Sequence, residues 1–149
     1  DMISQQEPFE DPLKAACELV AKYSSVDYAD RSFNPYAPEK EVAYWCPQDF
    51  DGKERKRLYM TIMATDFAKM NGLKITNARG DNVKISKVEF KSGPQWFGKL
   101  DLDEKIRSPR QVVKIPFKGP GTTEGLEREV VVYVTIEGGP QSWGMISLY

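Results

Sequence analysis

Glu127-Arg128-Glu129-Val130-Val131-Val132-Tyr133-Val134-Thr135-Ile136, then Glu137-Gly138-Gly139-Pro140, then Gln141-Ser142-Trp143-Gly144-Met145-Ile146-Ser147-Leu148-Tyr149, is the stretch on which the fold turns. Both arms are rich in β-branched and aromatic residues and the link between them is turn-forming, which predicts two strands joined as a hairpin. Register then sets the faces, because a slip of one residue exchanges the core side for the solvent side. A two-residue Gly138-Gly139 loop places Trp143 opposite Val134. A three-residue loop that includes Pro140 places Ile146 opposite Val132 and Leu148 opposite Val130. The second register is the expected one, since it gathers Val130, Val132, Val134, Ile136, Ile146 and Leu148 on one apolar face. It leaves Tyr133, Trp143 and Met145 together on the other.

Upstream, further strands are predicted at 41–46, 57–65, 73–77, 83–90, 96–102 and 111–117, separated by turn-forming runs such as Asp51-Gly52, Arg79-Gly80-Asp81-Asn82, Ser92-Gly93-Pro94 and Gly119-Pro120-Gly121. Leu58, Met60, Ile62 and Ala64 alternate as a half-buried strand requires. Between Ile85 and Val88 the apolar parity shifts, which an inserted bulge residue explains, so that strand is expected to bend. Residues 63–70 are ambiguous and allow one helical turn. Ahead of the strands, residues 1–10 read as a loose lead-in. Asp11-Pro12 then caps a helix over 11–25, whose Leu13, Ala16, Cys17, Val20 and Ala21 fall on one stripe. Residues 27–40 carry two prolines and read as an ordered loop.

Short strands with turns at roughly ten-residue intervals argue for a mainly β chain, an antiparallel β-sandwich of about eight strands, jelly-roll or Ig-like, with one N-terminal helix packed against it. The expected organisation is a single domain over 1–149, with the strands in 41–149.

Composition excludes several functions. The 149 residues hold 21 Lys plus Arg against 22 Asp plus Glu, interspersed, so no sustained basic face points to nucleic acid or an anionic membrane, and polyanions are not expected partners. The longest apolar run, 130–134, is far too short for a transmembrane helix, and no signal-peptide pattern stands at the N-terminus. A start at Asp1 suits a mature secreted protein or an excised module. Histidine is absent, which removes the usual general base, the activator of Ser or Cys nucleophiles and the commonest zinc ligand. No catalytic residue is assigned, and the chain is expected not to be an enzyme. A glycosidase working through carboxylates alone is the exception that composition leaves open. Cys17 and Cys46 are either buried thiols or one disulfide; the disulfide is expected, to fix the helix and the proline-rich loop to the sheet.

The binding candidates are aromatic. Trp45, Trp96 and Trp143, with Tyr44, Tyr59, Phe97 and Tyr133, offer flat rings of the kind that stack on the apolar faces of sugars, although most tryptophans in a domain of this size are core residues. Trp143, Tyr133 and Met145, on the outward side of the hairpin, and Trp96, beside the Ser92-Gly93-Pro94 turn, are the expected ligand-binding residues. The expected ligand is carbohydrate. The competing reading is a protein-interaction module, an adhesin, inhibitor or assembly subunit, using the same surface or an edge strand. No cofactor is expected; Asp49-Phe50-Asp51-Gly52 and Asp101-Leu102-Asp103-Glu104 are acidic enough to consider structural calcium, but the spacing is unspecific and solvated acidic turns are the better account. The expected location is secreted or extracytoplasmic.

Gly121-Thr122-Thr123-Glu124-Gly125, a strand, Gly138-Gly139 and a strand ending in Ile146-Ser147-Leu148-Tyr149 resemble a segment of the aegerolysin-type β-sandwich proteins, lipid-binding proteins some of which help form pores. The resemblance implies a lipid-binding β-sandwich. It covers about thirty residues of generic strand-turn-strand pattern and transfers no site residue.

Overall fold

The computed structural model describes residues 13–15, 17–18, 42–50, 55–80, 82–107, 111–138 and 141–149. Among these residues eight strands form: β1 (Val42–Trp45), β2 (Arg55–Met63), β3 (Gly72–Arg79), β4 (Val83–Ser92), β5 (Gln95–Ile106), β6 (Gln111–Pro116), β7 (Glu129–Gly138) and β8 (Trp143–Leu148). The ambiguous stretch after β2 is a short helix, α1 (Ala64–Lys69), which buries Ala64, Phe67 and Ala68. Leu13, Lys14, Ala15, Cys17 and Glu18 are helical. The remainder of the predicted 11–25 helix, the lead-in 1–10 and the loop 27–40 lie outside the described residues.

Two antiparallel sheets, ordered β1-β8-β3-β6 and β2-β7-β4-β5, make the sandwich. Within them β1 pairs with β8, β2 with β7, β3 with β6 and β4 with β5. That nesting of early strands against late ones is jelly-roll topology. Every connection between successive strands passes from one sheet to the other except β4 to β5.

This overturns the expected C-terminal hairpin. β7 pairs with β2 and β4 while β8 pairs with β1 and β3, so the two strands lie in opposite sheets instead of folding back on each other. The hairpin is at Ser92-Gly93-Pro94-Gln95, where Ser92 pairs with Gln95 across a two-residue turn and Gly93 takes φ +55°. The expected apolar set still faces inward: Val130, Val132, Val134, Ile136 and Ile146 are buried and Leu148 packs against them. Alternation fixes which side of a strand is apolar, whichever strand it pairs with.

The core between the sheets is filled from both. Leu58, Met60 and Ile62 of β2, the inward residues of β7 and Ile85, Val88 and Phe90 of β4 meet Ala43 and Trp45 of β1, Leu73 and Ile75 of β3 and Ile146 of β8. The parity shift in β4 is a true irregularity, a register shift between Ile85 and Lys87 against both neighbours. Trp45 is fully buried and its ring lies over Gly144, where a Cβ would fall onto Cζ2 and Cη2. Its Nε1–H donates to Ser142 Oγ at 2.8 Å, Ser142 Oγ donates to Asn77 Oδ1 at 3.4 Å, and Asn77 Nδ2 donates to the Ile106 carbonyl at 2.9 Å. The chain of bonds satisfies polar groups that would otherwise be costly at this depth.

Cys17 and Cys46 are bridged, with Cα atoms 5.5 Å apart. The bridge holds the N-terminal helical segment on the outer side of β1-β8-β3-β6, where Leu13, Cys17, Tyr44, Cys46 and Met145 form a second apolar cluster.

Candidate functional site

The two outer faces of the sandwich differ. On β1-β8-β3-β6 the helical segment covers Tyr44 and Met145, and Trp143 packs against the same cluster. Met145 keeps 9% of its surface. Trp143 and Met145 therefore do not share a face with Tyr133, as the hairpin register required; β7 and β8 lie in opposite sheets, so their outward sides are opposite faces of the molecule.

On β2-β7-β4-β5 the outward positions come from strict alternation. Since Leu58, Met60 and Ile62 point inward, Arg57, Tyr59 and Thr61 point out. Tyr59 stands opposite Tyr133 of β7, with ring centroids 5.6 Å apart. Glu89 of β4 follows in the same row, and Lys91 lies one outward position further along β4.

Trp96 is placed by the hairpin. It pairs with Lys91, whereas Phe90 pairs with Gly98, so Phe97 is an extra residue in β5. Phe97 turns toward Phe67 and Phe90, with ring centroids at 5.4 and 6.0 Å. Gly98 has no room for a side chain, since a Cβ there would stand 2.9 Å from Phe90 Cδ2. Trp96 turns the other way and leans across β4 to Tyr133, with ring centroids 5.0 Å apart and planes inclined at 42°. Ser92 fixes the base of this turn by accepting the Glu127 N–H at 2.8 Å.

Two cations complete the cluster. The Arg57 guanidinium carbon lies 4.2 Å from the Tyr133 ring centroid and 5.1 Å from that of Trp96. Glu89 holds the guanidinium in place through an ion pair of 3.5 Å. Lys91 Nζ lies 5.1 Å from the Trp96 centroid and has no ion pair among the described residues. Trp96 nevertheless keeps 49% of its surface exposed. The structure thus brings Trp96 and Tyr133 together and separates both from Trp143 and Met145.

Arg57, Glu89 and Lys91 were not expected at the site. Arg57 ends the basic run 53–57, which reads as a solvated turn, yet the alternation beginning at Leu58 already places it on the face of Tyr59. Glu89 and Lys91 alternate with Val88 and Phe90 after the bulge in β4 and so are outward by the same logic, but parity alone does not say which rings they meet.

No group of three or more His, Cys, Asp or Glu side chains gathers among the described residues. Asp49 is buried and accepts the Cys46 N–H at 2.7 Å, and Asp101 and Asp103 pair with Lys99 and Lys84 at 3.4 Å each. No helix among the described residues is long and apolar enough to cross a membrane.

The chain matches no protein-family model and no curated protein. Its function is therefore argued from this surface.

Proposed function

We propose that this protein is a non-catalytic, carbohydrate-binding module whose platform is the outward face of β2-β7-β4-β5, centred on Trp96 with Tyr133 and Tyr59. The observation that carries the reading is Trp96 itself, an indole that is 49% exposed yet pinned between Tyr133, Arg57 and Lys91 on a sheet. An aromatic surface so held loses little conformational entropy when a pyranose ring lies against it, and adjacent charged groups supply hydrogen bonds to hydroxyls. A protein-docking surface calls for a broader apolar patch, whereas Arg57, Glu89 and Lys91 make this one polar around its ring. The lack of histidine argues against triad or zinc hydrolysis. The Cys17–Cys46 bridge supports an oxidising, extracytoplasmic location.

A glycan array followed by calorimetric titration of the strongest hit tests the proposal. Trp96→Ala is expected to abolish binding with little change in melting temperature. Absence of any glycan ligand, or undiminished binding by Trp96→Ala, overturns it, and release of reducing sugar abolished by a single Asp or Glu substitution overturns its non-catalytic part.

A further inference from the structure

We infer that a second copy of this chain docks on the outer edge of β5, so that two β2-β7-β4-β5 sheets join antiparallel about a two-fold axis at Leu100. A strand at the margin of a sheet invites pairing unless it is blunted. In the other sheet β1 is four residues long and β6 closes with Pro116. β5 has neither guard: it runs twelve residues without a proline, and among the described residues it pairs with β4 alone. Its extra residue, Phe97, limits the regular part to Gly98 onward. Leu100 and Leu102 face the core from this margin but are only partly buried, so the apolar layer is left open at its rim.

Charge selects the register. Residues directly opposite in an antiparallel pair share a face, so in a two-fold pairing one residue must face its own copy. An axis at 99, 101, 103, 104 or 105 sets Lys99, Asp101, Asp103, Glu104 or Lys105 against itself, and an axis at 102 sets Lys99 against Lys105 and Asp101 against Asp103. Like charges in that position are destabilising. Of the axes from 99 to 105, only that at Leu100 avoids them. It sets Lys99 opposite Asp101 of the second copy and Asp101 opposite its Lys99, brings Leu100 against its copy on the inner side, and leaves Leu102 opposite Gly98. Within β4 and β5 Lys99 already stands beside Glu89, and Asp101 beside Lys87. A rank crossing the joint therefore reads Glu89, Lys99, Asp101, Lys87, alternating in sign from β4 of one copy to β4 of the other. The Lys99–Asp101 pair within one strand, at 3.4 Å, is exposed and is readily exchanged for the cross-strand one. Because the axis stands perpendicular to the sheet, both Trp96 platforms fall on the same broad face.

Sedimentation velocity from about 10 μM to about 1 mM tests the proposal, since a contact confined to a strand edge is small enough to dissociate in that range. A monomer–dimer equilibrium is expected, and the amides of 98–102 that point away from β4 gain protection from hydrogen exchange as concentration rises. Lys99→Asp and Asp101→Lys, both at exposed positions, are each expected to weaken self-association at least about tenfold, because the two-fold axis makes every substitution count twice. Mixed in equal amounts, the two variants are expected to dimerise again, every opposed charge then meeting one of opposite sign. That recovery also shows that each variant is folded. A protein that stays monomeric throughout, a dimer indifferent to Asp101→Lys, or a mixture that does not recover overturns the inference.

Discussion

Gly144→Ala is the substitution that decides whether β8 packs on β1, as in the sandwich, or folds back on β7. In the structure Gly144 pairs with Trp45, and an added Cβ falls onto the indole carbons Cζ2 and Cη2. The indole cannot retreat easily, because it is fully buried and its Nε1–H is bonded to Ser142 Oγ at 2.8 Å. Overpacking by one methyl group costs about 1–3 kcal/mol in general, and a clash with a hydrogen-bonded ring belongs at the upper end. With a urea m-value of roughly 2 kcal/mol/M, a loss of ~3 kcal/mol lowers the unfolding midpoint by about 1.5 M. The specific signature is non-additivity. Trp45→Phe alone destabilises by leaving a void and removing the indole N–H that Ser142 Oγ accepts, but the smaller ring makes room for the alanine. The double variant is therefore expected to lose at least ~1 kcal/mol less than the sum of the singles. In the folded-back register Gly144 lies opposite Val134, where alanine is harmless. A neutral Gly144→Ala, or additivity with Trp45→Phe, refutes the β1–β8 packing and with it the placement of Trp143 and Met145 beneath the helical segment.

Trp143→Ala is expected to destabilise by about 2 kcal/mol, as a partly buried aromatic should, and to leave glycan binding unchanged, the converse of Trp96→Ala; paired melting and titration measurements separate the two. Reduction of the Cys17–Cys46 bridge, which spans 29 residues, is expected to cost about 3–4 kcal/mol on the chain-entropy account, read as a lower unfolding midpoint in reductant and reproduced by Cys17→Ser with Cys46→Ser. For Glu137, burial pushes the carboxyl pKa up, but Lys84 and Arg55 outweigh it and hold the pKa below the ordinary 4.5. Its folded value being lower than its unfolded one, this pair network stabilises above the ordinary carboxylate range and the contribution is lost as pH falls through the folded pKa. Glu137→Gln should thus flatten the acid limb of a stability–pH curve below about pH 4.5, and an unchanged limb refutes the assignment.

Much of the architecture was legible because strand alternation is a local signal. The run Leu58, Met60, Ile62 gave both β2 and its inward face, and the break in parity between Ile85 and Val88 located a bulge that the sheet registers confirm. The short helix after β2 was visible as an ambiguity. Pairing was not legible. A loop of three or four residues joins two adjacent strands as readily as it carries a chain across a sandwich, and the residues at 137–140 suit either. The apolar faces of β7 and β8 are the same in both arrangements, so nothing local separates them. What does separate them is Trp45, nearly a hundred residues upstream, which requires a residue without a side chain at 144. A fully buried tryptophan facing a strand glycine is a contact that no periodicity reports.

The same reasoning explains why half of the expected site survived. Tyr133 is outward-facing on either pairing, and alternation along β7 places it there without knowledge of the fold; Trp96, which shares the parity of the inward Leu100 and Leu102, is turned outward by the extra residue Phe97. Their meeting depends on topology alone: β4 lies between β5 and β7, so a ring from each flank closes over the strand between them, and the centroids come to 5.0 Å. Trp143 and Met145 have the same outward parity, but they belong to the sheet on which the disulfide lays the helical segment. Covering one outer face leaves the other as the sandwich's open broad surface among the described residues. The aromatic and cationic groups on it, Trp96, Tyr133, Tyr59, Arg57 and Lys91, contact one another. Their rigidity comes from each other, through stacked rings, cations and the Glu89 ion pair, which is the condition for a surface to hold a ligand without first being ordered by it.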